Sequence, residues 1–541
     1  MSKLSQATKL LFYAVKKNDL ALANIAIQTG ADMNAYSKNE TTPLIEAIIH
    51  QQLPMINLLL DKGADVDKPT KEANTPLMVA CLNDYEEIAG ILVKHGANVN
   101  ALNEDKRTAL MYTAIVDNVS LLDTLVSNGA DVNIQDNYKN TALSQAAAND
   151  SCACAEALLH YGADINNANY FGQTPLMMAI GRRANDAVDL LIKNNVDITV
   201  KDNQGVTPLM YSVFAGNAQA FCSLMELKPN LEETDNSGNT VLHMAFSTGN
   251  FIKPLLLCGA DLSHSDNGGH TTLMAAVRKN YLDIVPLITE HYPELINAQD
   301  DTGSTALIYA IDNGSYESFK ILLDNKADVN LKDEEGDTAL NYAISSPDIR
   351  YLKELIKAGA DINANNNYGN LPLYLAAGQN NEEAVDILLE AGANVVPNRR
   401  FIETPLLVAS FKGHYNIVRK LIEKGAPVDA CNHQYITPLM AAAMSGHNHV
   451  VKALIKSNAD LNKTNCYGQT ALMAAVMNGH LSCAATLMNA GADTSIRDEN
   501  GRTALRIGCL VGVDNLVQKT VKISKKIAGW FGYHTNQNQR Q

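Results

Sequence analysis

The chain has 541 residues, 46% of them hydrophobic and 19% charged, with a formal net charge of −15. That balance describes an ordered chain and excludes a long, highly charged disordered polymer. No apolar stretch reaches the roughly 18 residues that span a bilayer, and residues 1–5 hold no leader-like apolar core, so neither a membrane-spanning nor a secreted protein is expected. Nine cysteines scattered from Cys81 to Cys509 read as thiols of a reducing, cytoplasmic compartment rather than as a disulfide framework.

Length alone points to three or four domains of about 150 residues. A repeat overrides that reading. A Thr-x-Leu-x-x-Ala pattern recurs close to every 33 residues, with first positions at Lys9, Thr42, Thr75, Thr108, Thr141, Thr174, Thr207, Thr240, Thr271, Thr305, Thr338, Leu371, Thr404, Thr437, Thr470 and Thr503. All sixteen units have Leu two places later, from Leu11 to Leu505, and a small sixth residue, Ala in thirteen and otherwise Thr113, Ser212 and Gly508. Self-similarity at a fixed period is the mark of a stacked-repeat architecture.

The spacing within one unit predicts its local structure. In Thr404-Pro405-Leu406-Leu407-Val408-Ala409 the threonine caps a helix whose first turn holds the proline, which has no amide hydrogen to leave unpaired. The helix stops near Gly413-His414, and a second one carries Ile417, Val418, Leu421 and Ile422 on one face, too much for one helix pair to bury. Gly425 stands where a helix end needs a left-handed residue, and most units continue with Gly-Ala-Asp-Val-Asn and Asp-x-x-Gly, as at Gly129 to Val132 and Asp333 to Gly336, a tight hairpin-like loop.

With Thr174-Pro175-Leu176, Gly446-His447 and Gly491-Ala492-Asp493 among its most specific motifs, the sequence resembles the ankyrin repeat over essentially its whole length. The resemblance implies an all-α solenoid of stacked helix-turn-helix units, with loops and first helices lining a concave binding face. The family's histidine in Thr-Pro-Leu-His survives only as His243, with Met at positions 78, 111, 177, 210, 274, 440 and 473, read here as packing in the seam between helices. With neighbouring units about 10 Å apart, sixteen of them make a body on the order of 150 Å long.

In chain order, residues 1–32 form an N-terminal capping repeat that opens on Lys9 instead of Thr, and 33–258 form a first regular segment. Residues 259–304 are irregular: Thr240 and Gly259 stand two residues closer than their counterparts elsewhere, and the next unit is one residue longer through His291-Tyr292-Pro293-Glu294. A change of curvature there, dividing the array, and a harmless adjustment of surface turns are both compatible with that pattern. A second regular segment covers 305–502, with its least regular loop at Val395 to Glu403; 503–528 is a C-terminal cap and 529–541 a polar tail.

The resemblance also implies which positions meet partners. In the last five full units, on or one place beside them, stand Tyr368, Arg399, Arg400, Phe401, Phe411, Lys412, Tyr435, Met444, Tyr467 and Met477. Aromatic, Met and Arg side chains are the stuff of interface hot spots. The competing reading is packing, since Tyr138, Phe171, Tyr368 and Tyr467 all precede the loop glycine or its substitute and could shield a neighbour.

Charge is segregated. Residues 1–395 hold 26 Lys and Arg against 50 Asp and Glu, whereas 396–541 hold 17 against 8, a field that can steer a complementary partner. The tail from Val517 to Phe531 is basic and amphipathic, with Val517, Val521, Ser524 and Ile527 on one stripe. It reads first as a capping helix and alternatively as a membrane-surface anchor through Lys519, Lys522, Lys525, Lys526 and Trp530.

Phosphate-loop, zinc-helix, nucleophile-turn and dinucleotide motifs are absent, and the repeats leave no segment for a catalytic domain, so no enzyme and no cofactor are expected. Cys152-Ala153-Cys154 reads as buried thiol, and His414, His447 and His480, one repeat apart, stand too far from one another to share a metal and read as loop-stabilising. Nucleic acid is disfavoured by the acidic balance and the lack of a recognised groove-reading fold. The expectation is a monomeric, non-enzymatic scaffold that binds one or more proteins through the concave face, the alternatives being a membrane-recruited adaptor that uses the basic tail and an enzyme with a site built between repeats. Similarity to Thr-Pro-Leu-Met-rich arrays of intracellular bacteria adds the expectation of an effector delivered into a host cytosol.

Overall fold

The computed structural model describes residues 4–396 and 403–510. Arg399, Arg400 and Phe401 lie outside the described residues, as do Lys519, Lys522, Lys525, Lys526 and Trp530, together with the cap and anchor readings of the tail. Among the described residues there are 31 α-helices, one 3-10 helix and no strand, with only three isolated β-bridges. Among the described residues no helix is long and apolar enough to cross a membrane. The chain divides into two compact units, 1–267 and 268–541.

Most repeats begin as their spacing predicts, although Thr338 and Leu371 make no side-chain cap. The hydroxyl of Thr404 accepts from the Leu407 amide at 3.1 Å, that of Thr437 from Met440 at 3.3 Å and that of Thr470 from Met473 at 3.3 Å. Each such cap satisfies a helix-end donor and is worth about 1 kcal/mol. The first repeat departs from expectation. Its helix starts one turn earlier, at Gln6, with Ser5 as the cap, so Lys9 lies exposed inside the helix rather than at its start. The pattern was anchored on a threonine, and Thr8 performs a different task there, accepting from the Asp32 amide at 3.0 Å.

Two layers result within each unit. First helices such as Pro405–Lys412, Pro438–Met444 and Ala471–Met477 pack in sequence on one another, and second helices such as Tyr415–Glu423, Asn448–Lys456 and Leu481–Asn489 do the same. The small sixth residue permits this approach: Ala409, Ala442 and Ala475 are fully buried where neighbouring first helices meet. The apolar face of each second helix is also closed, with Ile417, Val418 and Leu421 fully buried. Removing such a leucine costs about 2–5 kcal/mol, because its cavity does not collapse.

The methionines expected in the seam are there. Met78, Met177, Met274 and Met473 are all buried. Two of them retain a weak form of the contact His243 makes with its cap. The Thr240 amide donates to His243 Nδ1 at 3.4 Å, and the Thr207 and Thr271 amides donate to the thioethers of Met210 and Met274 at 3.5 and 3.4 Å.

Loops are registered by a side-chain ladder that the repeat length makes possible. Asn100 Oδ1 accepts from the Asp131 amide at 2.9 Å, Asn133 from Asp164 at 3.0 Å, Asn330 from Asp361 at 2.7 Å and Asn462 from Asp493 at 2.9 Å. Each rung joins residues 31 apart and pairs a backbone donor that the loop itself leaves open. The irregular units solve their length changes locally. The second helix after Thr240 shrinks to Ile252–Leu257, preceded by Phe251 at φ +57°, whose ring stacks on Phe221 at 4.3 Å. In the longer unit the helix Val285–His291 is followed by a 3-10 turn, Pro293–Asn297, which absorbs the extra residue.

Candidate interaction surface

The seven predicted contact residues that are described come from two kinds of position. Phe411, Met444 and Met477 occupy the same place in three successive first helices, near the C-terminal end. Phe411 is 43% and Met477 36% exposed, Met444 is partly exposed, and Lys412 beside Phe411 is exposed. Consecutive packing of their helices brings these three side chains into one row. Tyr368, Tyr435 and Tyr467 stand instead on loop tips, 75%, 49% and 55% exposed.

Histidines brace the row from behind. His447 Nε2 lies 3.0 Å from the Phe411 carbonyl of the preceding repeat, and His414 Nε2 lies 3.3 Å from that of Gly378. The ring of His447 packs over Gly413 and that of His480 over Gly446, so the glycine of one repeat and the histidine of the next form a joint. Their expected loop-stabilising role is therefore a bridge between repeats.

The tyrosine tips are held by their backbones. Asn465 Oδ1 accepts from the Tyr467 and Gln469 amides, both at 2.9 Å, and the Tyr467 carbonyl accepts from the Glu499 amide of the next loop at 3.1 Å. Tyr368 is fixed in the same way by Asn366 Oδ1 at 3.1 Å. Neither ring is buried against a neighbour, and the same holds for Tyr138 and Phe171, 54% and 53% exposed. Tyr435 takes, at φ +60°, the left-handed position that many loops give to glycine and others to Glu40, Ala73, Lys106 and Lys139.

Two features escaped the sequence reading. Leu510, 66% exposed, extends the Phe411–Met444–Met477 row onto a fourth first helix, Ala504–Leu510. In the unit 1–267, Phe214 occupies the same helix position and is 73% exposed, with Tyr170 and Phe171 exposed on a loop tip, their rings 5.5 Å apart edge to face. The repeat period marks both, since Phe214 and Leu510 stand seven residues on from Thr207 and Thr503, as Phe411 does from Thr404.

The chemistry of other candidates is plain. Cys154 is fully buried, like Ile417 and Cys483 at the equivalent position, and burial pushes its thiol up to about 12; burial likewise raises Cys152 to about 11. All nine cysteines are free. Among the described residues no cluster of three His, Cys, Asp or Glu side chains could hold a metal. Polar side chains elsewhere in the first-helix layer are committed to one another. Tyr309 donates to Asp300 at 2.6 Å, Tyr342 to Asp333 at 2.7 Å and Tyr374 to Glu403 at 2.7 Å.

A comparison with curated proteins finds no match. Family descriptions do match. Ankyrin repeats (3 copies) cover residues 11–103, 98–169, 215–300, 242–333, 327–399, 406–498 and 439–523, and ankyrin repeats (many copies) cover 158–209. Repeats of this kind generally mediate protein–protein interaction and are typically non-enzymatic. The capped helix pairs, the side-chain ladder and these matches together place the chain in the ankyrin-repeat family.

Proposed function

We propose that the chain is a non-enzymatic scaffold that binds a protein partner through the concave groove between loop tips and first helices, centred on the repeats that carry Tyr368 to Leu510. The observation that carries this reading is the exposed row Phe411, Met444 and Met477, bounded by Tyr435 and Tyr467 on held loop tips. Rigid aromatic and flexible thioether side chains lose little on binding and fill partner pockets well. A purely structural role would bury them.

The test places a photo-crosslinking amino acid at Met444 in the groove, and at Lys452 on the second helix Asn448–Lys456 as the comparison. In lysate from the cells where the protein acts, a discrete crosslinked protein is expected from position 444 and not from 452. Crosslinks from 452 alone would overturn the reading.

A further inference from the structure

We infer that the row Phe411, Met444, Met477 and Leu510 seats a single amphipathic α-helix with an acidic polar edge, belonging to the partner protein. The inference rests on the proposed function and names the partner's chemistry.

Spacing selects a helix. The four side chains sit at one equivalent position on four successively packed first helices, Pro405–Lys412, Pro438–Met444, Ala471–Met477 and Ala504–Leu510. Packed helices lie about 8–10 Å apart, and seven residues of an α-helix advance about 10.5 Å. Apolar residues seven apart on a crossing helix therefore meet successive ridges with one face. An extended strand covers the same distance in about three residues, an odd number, so its successive contacts would point to opposite sides. At the position three places before each of the first three ridge residues the side chains are Val408 and Ala441, both buried, and Ala474, half-buried.

Charge selects the edge. These four helices and the turns that join the first three to their second helices contain no Asp or Glu, while they carry Lys412 and Arg506. Lys412 makes no ion pair among the described residues. Residues 268–395, by contrast, hold 8 Lys and Arg against 20 Asp and Glu. A carboxylate-edged helix complements the row, where the acidic repeats that precede it would repel one. The chain's own C-terminal residues, with Lys519, Lys522, Lys525 and Lys526, have the wrong sign to be its occupant.

The test uses three fluorescent peptides of about 24 residues, enough to cross four ridges, titrated into the full chain by anisotropy. The first is a helix with Leu every seventh residue and Glu beside it, the second its Lys-edged twin, and the third the Glu version broken by prolines. The Glu helix should bind at least about ten-fold more tightly than either twin, a difference of about 1.4 kcal/mol. Met477→Glu and Lys412→Glu should each weaken it by about the same factor, and Lys452→Glu on the second-helix layer should leave it unchanged, with thermal unfolding verifying the fold of every variant. Equal binding of the Glu and Lys helices, tighter binding of the broken peptide, or indifference to Met477→Glu overturns the inference. If position 444 still crosslinks a protein in lysate, the groove reading survives that outcome and only the acidic helix is lost.

Discussion

Replacing Gly446 by alanine tests how neighbouring repeats are joined. Gly446 ends its helix turn at φ +80°, and a Cβ built there would lie 2.6 Å from His480 Nδ1 and 2.8 Å from its Cε1. Two costs follow. Alanine in the left-handed region loses about 1–2 kcal/mol, and forcing the packed His480 ring aside adds about 1–3 kcal/mol. Gly425 separates them, because it has φ +84° but nothing within 4 Å of its Cβ, so Gly425→Ala carries the backbone cost alone. Gly446→Ala should therefore destabilise by about 2–5 kcal/mol and Gly425→Ala by about 1–2 kcal/mol. Urea unfolding followed by circular dichroism reads the global effect, and hydrogen exchange over 438–489 reads the local one, since repeat arrays open in parts. In a His480→Ala background the excess cost of Gly446→Ala should shrink towards that of Gly425→Ala. Equal costs at the two glycines in the wild-type background would refute the interlocking of glycine and histidine.

Other consequences follow from the same contacts. Asn462→Ala removes the acceptor for the Asp493 amide and should cost about 1 kcal/mol, with faster exchange at that amide as the specific readout. Thr437→Ala deletes a helix cap and should also cost about 1 kcal/mol in urea unfolding. Burial raises Cys81 and Cys154 from 9.0 to about 12, so the unfolded chain releases these protons first as pH rises. Their contribution is full below pH 9 and is lost between pH 9 and 12, a decline that Cys81→Ala with Cys154→Ala should flatten. In the folded protein at pH 8, iodoacetamide should label exposed Cys222, Cys258, Cys466 and Cys509 and spare Cys81 and Cys154, as mass spectrometry of the alkylated peptides would show.

Much of this architecture is legible in one unit of the sequence, because its determinants are local. Thr404 before Pro405 states where a helix begins, Gly413 and Gly425 state where two helices end, and the Ile417, Val418 and Leu421 face states that each pair needs a neighbour. Met78 and Cys154 were placed in the core by position alone. The first unit was misread at Lys9 because an anchor on threonine cannot see a helix that starts a turn earlier under a different cap.

The interaction surface was legible only in part. The sequence names Phe411, Met444 and Met477 individually, while Leu510 and Phe214, at the same repeat position, stand out only through their exposure in the stacked array. The joint between Gly446 and His480, the Asn462 to Asp493 rung and the exposure of Tyr368 all depend on groups a whole repeat apart. What the amino-acid sequence determined by itself was the repeat, its helices and the side each one buries, since those depend on residues three to five places apart. Which exposed side chains line up into one surface was decided only by stacking, because a row across helices exists once each repeat has a fixed distance and register to the next.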